Sequence, residues 1–166
     1  MRSLALLALL VPCVACDQVT KALAVAHLKG QPGVDVVVGI FRLVYAENPG
    51  AFLGLGRALP EGVRQGLFVV GVALLLLGVG VVALRHRLPG PLFVGLGLLI
   101  AGGAGNLMDR LSRAGHVVDF AVISVGPLRT GVFNVADVQI VVAGGLLALA
   151  ARRRKTPHDL GAPAPA

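Results

Sequence analysis

The chain has 166 residues, of which 56% are hydrophobic and 14% are charged, and its formal net charge is +7. Soluble domains usually carry about 25% charged residues, so this composition leaves too little polar surface to cover a soluble globule and excludes a water-soluble enzyme. The length indicates one domain. A basic excess can indicate nucleic acid, but no basic groove with interleaved aromatic residues is visible, so we expect no nucleic-acid partner.

Four apolar stretches are long enough to cross a hydrocarbon core of roughly 30 Å as helices. They lie at about residues 4–28, 66–84, 91–108 and 132–151. Asp17, Gln18 and Lys21 interrupt the first stretch, and Asn134 and Asp137 lie near the start of the last one. The sequence therefore predicts an all-α membrane protein with four transmembrane helices.

Basic residues cluster in three short segments that share one side of the membrane if the chain crosses it four times. These segments are Arg2, the turn at 85–87 and the run at 152–155. By the positive-inside rule, both termini and this turn are cytoplasmic. Residues 156–166 are rich in proline and alanine, so we expect a disordered cytoplasmic tail after a single domain spanning residues 1–155.

Strand-like segments follow the first helix. Residues 34–38 and 40–45 are β-branched or alternating on either side of Gly39, as short strands are. We predict a small periplasmic β-sheet over about residues 31–58, between helices 1 and 2, and a short loop between helices 3 and 4.

Two cysteines in the first helix permit other interpretations. The segment Val14 to Cys16 follows a basic and apolar run, and it resembles the lipobox at which bacterial lipoproteins are cut. A processed lipoprotein usually continues as a soluble domain, whereas three further spans follow here. Cys13 and Cys16 also form a C-x-x-C, but in an apolar helix Cys packs as a small apolar residue. We therefore predict an uncleaved first helix without a redox or metal pair.

Ionisable residues at membrane depth cost about 2.5–3.5 kcal/mol on insertion scales, so each one is a candidate functional residue. Asp17 and Lys21 are four residues apart on one helix and can form a structural pair. Asp109 precedes Arg110, and we expect a local guanidinium to neutralise this carboxylate.

Asp119 and Asp137 remain without a neighbouring cation in the sequence. We expect the connection between helices 3 and 4 to bring them together near the outer interface. Two carboxylates in a low-dielectric site cannot both ionise, so one keeps a proton. Such a pair can activate a water molecule and protonate a leaving amine.

Other chemistries have weaker support in the sequence. Isolated membrane aspartates also serve proton relays and ion sites, so a small four-helix carrier or proton-coupled transporter is the alternative. The chain has no H-E-x-x-H and no G-x-S-x-G motif, and its four histidines are scattered, so neither a metal site nor a Ser-His pair is indicated.

Three asparagines fall near the predicted outer interface: Asn48, Asn106 and Asn134. An amide side chain offers both a donor and an acceptor, which suits it to hold a peptide backbone extended for attack. Each asparagine can equally be a turn or cap residue.

Five motifs then occur in order along nearly the whole chain. They are DQVTK at 17–21, NPGAF at 48–52, GAGNLMDR around Gly105, VVDF at 117–120 and FNVAD at 133–137. With four spans, these motifs resemble the bacterial lipoprotein signal peptidases, the type II signal peptidases.

The resemblance implies an aspartic endopeptidase of the bacterial inner membrane, without metal or cofactor and with its active site near the periplasmic face. Nothing in the sequence demands more than one copy, so we expect a monomer. Its partners are membrane lipids and diacylglyceryl-modified prolipoproteins, which it cleaves before the lipidated cysteine. It implies that Asp119 and Asp137 are catalytic. It also implies that Asn48, Asn106, Arg110 and Asn134 line the substrate cleft. By the same resemblance, Asp17 and Lys21 are expected to form a structural pair and Asp109 to support Arg110.

The chain departs from the family pattern at two places. The family commonly has N-x-G-A-A-F, whereas NPGAF is one Ala shorter, which leaves the position of Phe52 relative to Asn48 open. The usual G-G-A-x before Gly105 is replaced by Ala-Gly-Gly-Ala at 101–104. Both departures keep small residues where helices or substrate approach closely.

Overall fold

The computed structural model describes residues 1–50 and 58–153. Its elements in chain order are α1 (Arg2–Leu28), β1 (Val34–Val37), β2 (Phe41–Asn48), α2 (Glu61–Arg85), α3 (Gly90–Ser112), β3 (Val117–Val125), β4 (Leu128–Arg129) and α4 (Val135–Arg153). All four helices are long and apolar enough to cross a membrane, which confirms this prediction. Phe52 and the predicted tail at 156–166 lie outside the described residues.

Two helices begin elsewhere than the hydropathy predicts. Helix α2 starts at Glu61, ahead of the apolar run, and contains a π-helical segment at Gly66–Gly71. Helix α4 starts at Val135 rather than at residue 132, because Asn134 caps it. Hydropathy marks the apolar part of a helix, whereas capping groups mark its ends.

Small residues let α3 pack closely against its neighbours in the bundle. A Cβ on Gly102 would lie 2.5 Å from the backbone oxygen of Ala136 in α4, and a Cβ on Gly105 would meet the carboxylate of Asp17 in α1. Lipid is as apolar as these side chains, so close packing rather than exclusion from water holds membrane helices together. The glycines of α3 therefore determine how near α1 and α4 lie to it.

Gly102→Ala is expected to destabilise the protein by about 1–3 kcal/mol, because the new methyl group overpacks against backbone that cannot rotate away. Thermal unfolding in detergent measures this as a lower Tm. Gly144→Ala in α4 is the matched control, since a Cβ there meets nothing within 4 Å. Equal melting of the two variants would contradict the close α3–α4 contact.

The sheet has four antiparallel strands in the order β1-β2-β3-β4. The predicted location between helices 1 and 2 is therefore only half right, and the predicted loop between helices 3 and 4 is wrong. That connection contains β3 and β4. Strand β3 pairs with β2 in a register that sets Asp119 opposite Ala46. A nine-residue apolar strand without a polar face gives no alternation, which is why its pattern is ambiguous.

The sheet packs on one end of the helix bundle. Ala24 and Leu28 of α1 form a buried cluster with Val118 of β3, and Leu43 of β2 packs against it. At the other end of the bundle, the guanidinium of Arg2 donates to the backbone oxygen of His86 at 2.5 Å. The N-terminus and the turn after α2 thus share the end opposite to the sheet.

Candidate active site

The first turn of α4 is organised by a reciprocal pair of hydrogen bonds. The Asn134 side-chain oxygen accepts from the backbone N–H of Asp137 at 2.9 Å, and the Asp137 carboxylate accepts from the backbone N–H of Asn134 at 3.2 Å. This is a capping box in which Asp takes the usual place of Glu. It satisfies helix-end donors that would otherwise be unpaired and holds the Asp137 carboxylate beside the start of the helix.

Asp119 reaches the same place from β3. Asp119 is 2% exposed, and its two carboxylate oxygens accept from different asparagines. Asn134 Nδ2 donates to one oxygen at 2.7 Å, and Asn48 Nδ2, at the end of β2, donates to the other at 3.0 Å. The sheet thus brings Asp119 to the helix that carries Asp137.

Two asparagines link the aspartates. Asn134 bonds to both carboxylates, and Asn106 of α3 donates through Nδ2 to Asp137 Oδ1 at 3.2 Å. Asn134 Nδ2 also lies 3.2 Å from Asn106 Oδ1. Both carboxylates and both amides are buried. The structure therefore brings together Asp119 and Asp137 with all three of the predicted asparagines.

Burial raises the pKa of Asp119 from 3.8 to about 6, with a further contribution from the negative charge of Asp137. The amides of Asn48 and Asn134 act in the opposite direction, because they stabilise the carboxylate. Asp119 is therefore a carboxyl group that can exchange a proton near neutral pH, as a general acid or base must.

The stability of the protein should fall with rising pH between about 4 and 6, because folded Asp119 binds its proton more tightly than unfolded Asp119 does across that interval. Below about pH 4 both states are protonated, so the penalty is absent, and above about pH 6 it is complete. Tm measured in detergent from pH 4 to 7 checks this, and Asp119→Asn should flatten the slope. An unchanged slope in that variant would contradict the raised pKa.

Lys21 contacts three side chains that border the site. Its buried ammonium lies 2.8 Å from Asp17 Oδ2, 3.2 Å from Asp109 Oδ2 and 2.8 Å from Asn106 Oδ1. An ammonium has three donors and no acceptor, so these contacts use all of its capacity. The predicted pair of Asp17 and Lys21 is present, and Lys21 also binds Asp109 and Asn106, which the sequence did not indicate.

Each carboxylate bound by Lys21 also holds an element of the site. Asp17 Oδ1 accepts from the backbone N–H of Ala136 at 2.9 Å, in the first turn of α4. Asp109 Oδ2 accepts from the backbone N–H of Val118 at 3.0 Å, next to Asp119. The cluster therefore positions both chain segments that carry the paired aspartates.

Within the described residues Asp109 forms its ion pairs with groups other than Arg110, and its predicted support of Arg110 stays a prediction. Asp109 is paired with Lys21 and lies 3.6 Å from Arg113 Nε, because a residue four positions along a helix shares its face whereas the next residue does not. Arg110 instead donates to the backbone oxygens of Asn106 at 3.2 Å and Gly50 at 2.6 Å. It thereby ties α3 to the chain that follows β2.

Sequence reasoning missed the contact between Arg110 and Phe68. The guanidinium carbon lies 5.5 Å from the centre of the Phe68 ring, a cation–π distance, and Phe68 belongs to the π-helical segment of α2. No local pattern marks this contact, because it joins two helices. Gln18, within the DQVTK motif, donates to Asp17 and to the backbone oxygen of Gly105 at 3.1 Å each, and was likewise not identified.

The arrangement favours acid–base chemistry on a bond brought to two buried carboxylates. Within residues 1–50 and 58–153, no three His, Cys, Asp or Glu side chains form a group that could hold a metal ion. The site groups that surround the carboxylates are amides, an ammonium and a guanidinium, which suit a peptide backbone as ligand.

Known proteins are similar to this chain in sequence and in fold. The family model described as signal peptidase (SPase) II matches residues 9–153. A relative named lipoprotein signal peptidase from Pelotomaculum thermopropionicum is 42% identical over 136 residues, covering 81% of this chain and 82% of its own. One of the same name from Streptomyces griseus is 34% identical over 150 residues, covering 87% and 70%.

A solved structure described as a bacterial membrane enzyme superposes with a TM-score of 0.78 at 22% identity, covering 95% of this chain and 94% of that one. This likeness concerns the fold. The family model covers every residue of the site described above. The chain therefore belongs to the signal peptidase II family, as its motifs predicted.

Proposed function

We propose that this protein is an intramembrane aspartic endopeptidase that removes the signal peptide from diacylglyceryl-modified prolipoproteins, cutting before the lipidated cysteine. The observation that carries the proposal is the pair of buried carboxylates, Asp119 and Asp137, held by shared amide donors on a strand and a helix from different parts of the chain. Membership of the signal peptidase II family favours this function over the carrier.

In the proposed reaction one aspartate of the pair takes a proton from water, whose oxygen attacks the carbonyl carbon before the modified cysteine. The other aspartate, protonated, donates to the carbonyl oxygen. The first aspartate then gives the proton it took from water to the amide nitrogen, and the C–N bond breaks to release a new amine. As the carbonyl re-forms in the new carboxyl group, the second aspartate recovers its proton. The proton belongs to the pair as a unit.

Asn48, Asn106, Arg110 and Asn134 are proposed to line the cleft and hold the substrate backbone. Their hydrogen bonds already set the orientation of each amide and of the guanidinium. Preorganised groups of this kind avoid the cost of ordering at the moment of reaction. Asn48 and Arg110 both bond to Gly50, so the chain just after β2 is held next to the cleft.

The protein is proposed to lie in the bacterial inner membrane as a monomer, with both termini cytoplasmic and the sheet and site on the periplasmic side. The cluster of basic residues at the end of the bundle opposite to the sheet supports this orientation. In this orientation the paired aspartates lie near the outer interface, where a substrate helix can enter laterally from the bilayer.

The experiment that tests the function is incubation of the purified protein with one prolipoprotein in two forms, with and without the diacylglyceryl group. Mass measurement of the products should show cleavage of the lipidated form alone, immediately before its cysteine. Solute or proton flux in liposomes without cleavage would favour the carrier. Cleavage of both forms would contradict the proposed specificity.

A further inference from the structure

An apolar cavity lies beside Asp137 and is not used by the mechanism above. It has a volume of about 710 Å³ and separates the β3–β4 hairpin from the first turns of α4. Its hairpin side is formed by Ile123 and by Phe133, which follows β4. Cavities of this size accommodate small ligands.

The helix side of the cavity faces lipid. Val138, Val141 and Val142 line it at a spacing that places them on one face of α4, and they are 46–57% exposed. Because α4 is a candidate membrane span, a face exposed in this way meets hydrocarbon. The cavity is therefore open to the bilayer along this face.

Arg129 and Asp137 are the two charged residues among those that line the cavity, and Asp137 belongs to the pair described above. The cavity thus runs from hydrocarbon to the reacting groups, with a guanidinium available for an ester or headgroup oxygen.

We propose that this cavity binds one acyl chain of the substrate's diacylglyceryl group, a subsite that rests on the proposed function. The glycerol is attached to the sulfur of the cysteine whose amide is cut, so an acyl chain begins a few bonds from the reacting carbon. A cavity that joins lipid to Asp137 matches that connectivity. The acyl chain moves from bilayer hydrocarbon into an apolar cavity, so little hydrophobic free energy is gained. The cavity therefore contributes to catalysis by positioning the peptide bond.

The first test fills the cavity. Val141→Trp is expected to lower kcat/KM by about tenfold or more for a prolipoprotein bearing a dipalmitoylglyceryl group, because the scissile bond is displaced. With a diacetylglyceryl group on the same peptide, the change should be less than about twofold. Val19→Trp, on the lipid face of α1 and equally exposed at 57%, is the matched control and should alter neither value. Equal losses with both substrates, or no loss with the long-chain one, would overturn the subsite.

The second test locates the chain directly and does not depend on cleavage. The sequence contains no Trp, so Phe133→Trp supplies a single indole in the cavity, and Asp119→Asn in the same protein prevents turnover. Addition of a prolipoprotein with brominated acyl chains should quench this indole more than brominated bilayer phospholipids do at equal bromine density. Equal quenching would assign the cavity to bulk lipid and overturn the proposal.

Failure of the proposed function and failure of the acyl-chain subsite give different results. If the unaltered protein cleaves no lipidated prolipoprotein, the proposed function fails, and quenching by the substrate analogue still decides the cavity. If cleavage occurs but Val141→Trp treats both substrates alike, the function stands and the subsite fails.

Discussion

Asp119→Asn and Asp137→Asn are each expected to reduce cleavage of a diacylglyceryl-modified prolipoprotein by about 10³-fold or more, since an amide can neither take nor give the proton that the reaction moves. Asn has nearly the same shape as Asp, so the strand and helix that carry these positions should still form. The measurement is product mass over time for each purified variant, with its Tm in detergent recorded alongside.

The matched control is Asp35→Asn on β1. Asp35 is exposed and pairs with Arg42 on the surface at 3.0 Å, so its loss should change the rate less than about twofold. Substantial turnover by either the Asp119 or the Asp137 variant would contradict the proposed pair. If both Asn variants fail to fold, Asp119→Glu and Asp137→Glu replace them in the test. The longer side chain keeps a carboxylate but displaces it, so these variants should fold and cleave the substrate more slowly.

Lys21→Met is expected to destabilise the protein by about 3–5 kcal/mol, because it leaves buried carboxylates without their cation. Asp17 and Asp109 lose an ion pair and Asn106 loses a hydrogen bond at once, and Asp17 and Asp109 hold α4 and β3. The measurement is Tm and yield in detergent. Methionine keeps much of the length and apolar stem of lysine, so the effect reports the charge.

Lys29→Met is the control for this variant. Lys29 is 57% exposed and pairs with Glu47 at 3.1 Å, and such surface pairs contribute about 0–1 kcal/mol. A Lys21→Met protein that melts like the unaltered one yet cleaves no substrate would contradict the structural role and place Lys21 in the reaction itself.

The sequence was informative wherever a property depends on residues close together in the chain. The four spans follow from runs of apolar residues, and the pairing of Asp17 with Lys21 follows from their spacing on one helix. The capping box of Asn134 and Asp137 is also local, although its pattern was interpreted as a motif and not as a helix start.

Contacts between segments that are far apart in the chain were harder to predict from the sequence. Strand β3 becomes a strand because β2 provides hydrogen-bond partners for it, and an apolar run has no alternation that reveals this in advance. The carboxylate of Asp109 prefers a buried ammonium from α1 to the guanidinium next to it in the chain, because side chains of consecutive helical residues point in different directions.

The sequence by itself determined that this protein has four membrane-crossing helices, that Asp119 and Asp137 are the aspartates without local partners, and which family its motifs belong to. Tertiary structure decided which groups surround those aspartates. These are amides from three separate parts of the chain and a lysine whose partners hold the segments that carry the aspartates. It also placed an apolar cavity, open to lipid, beside Asp137. The physical reason is that a charge buried in a membrane protein must find partners in three dimensions. Those partners come from whichever segments the packing of small residues brings within hydrogen-bond distance.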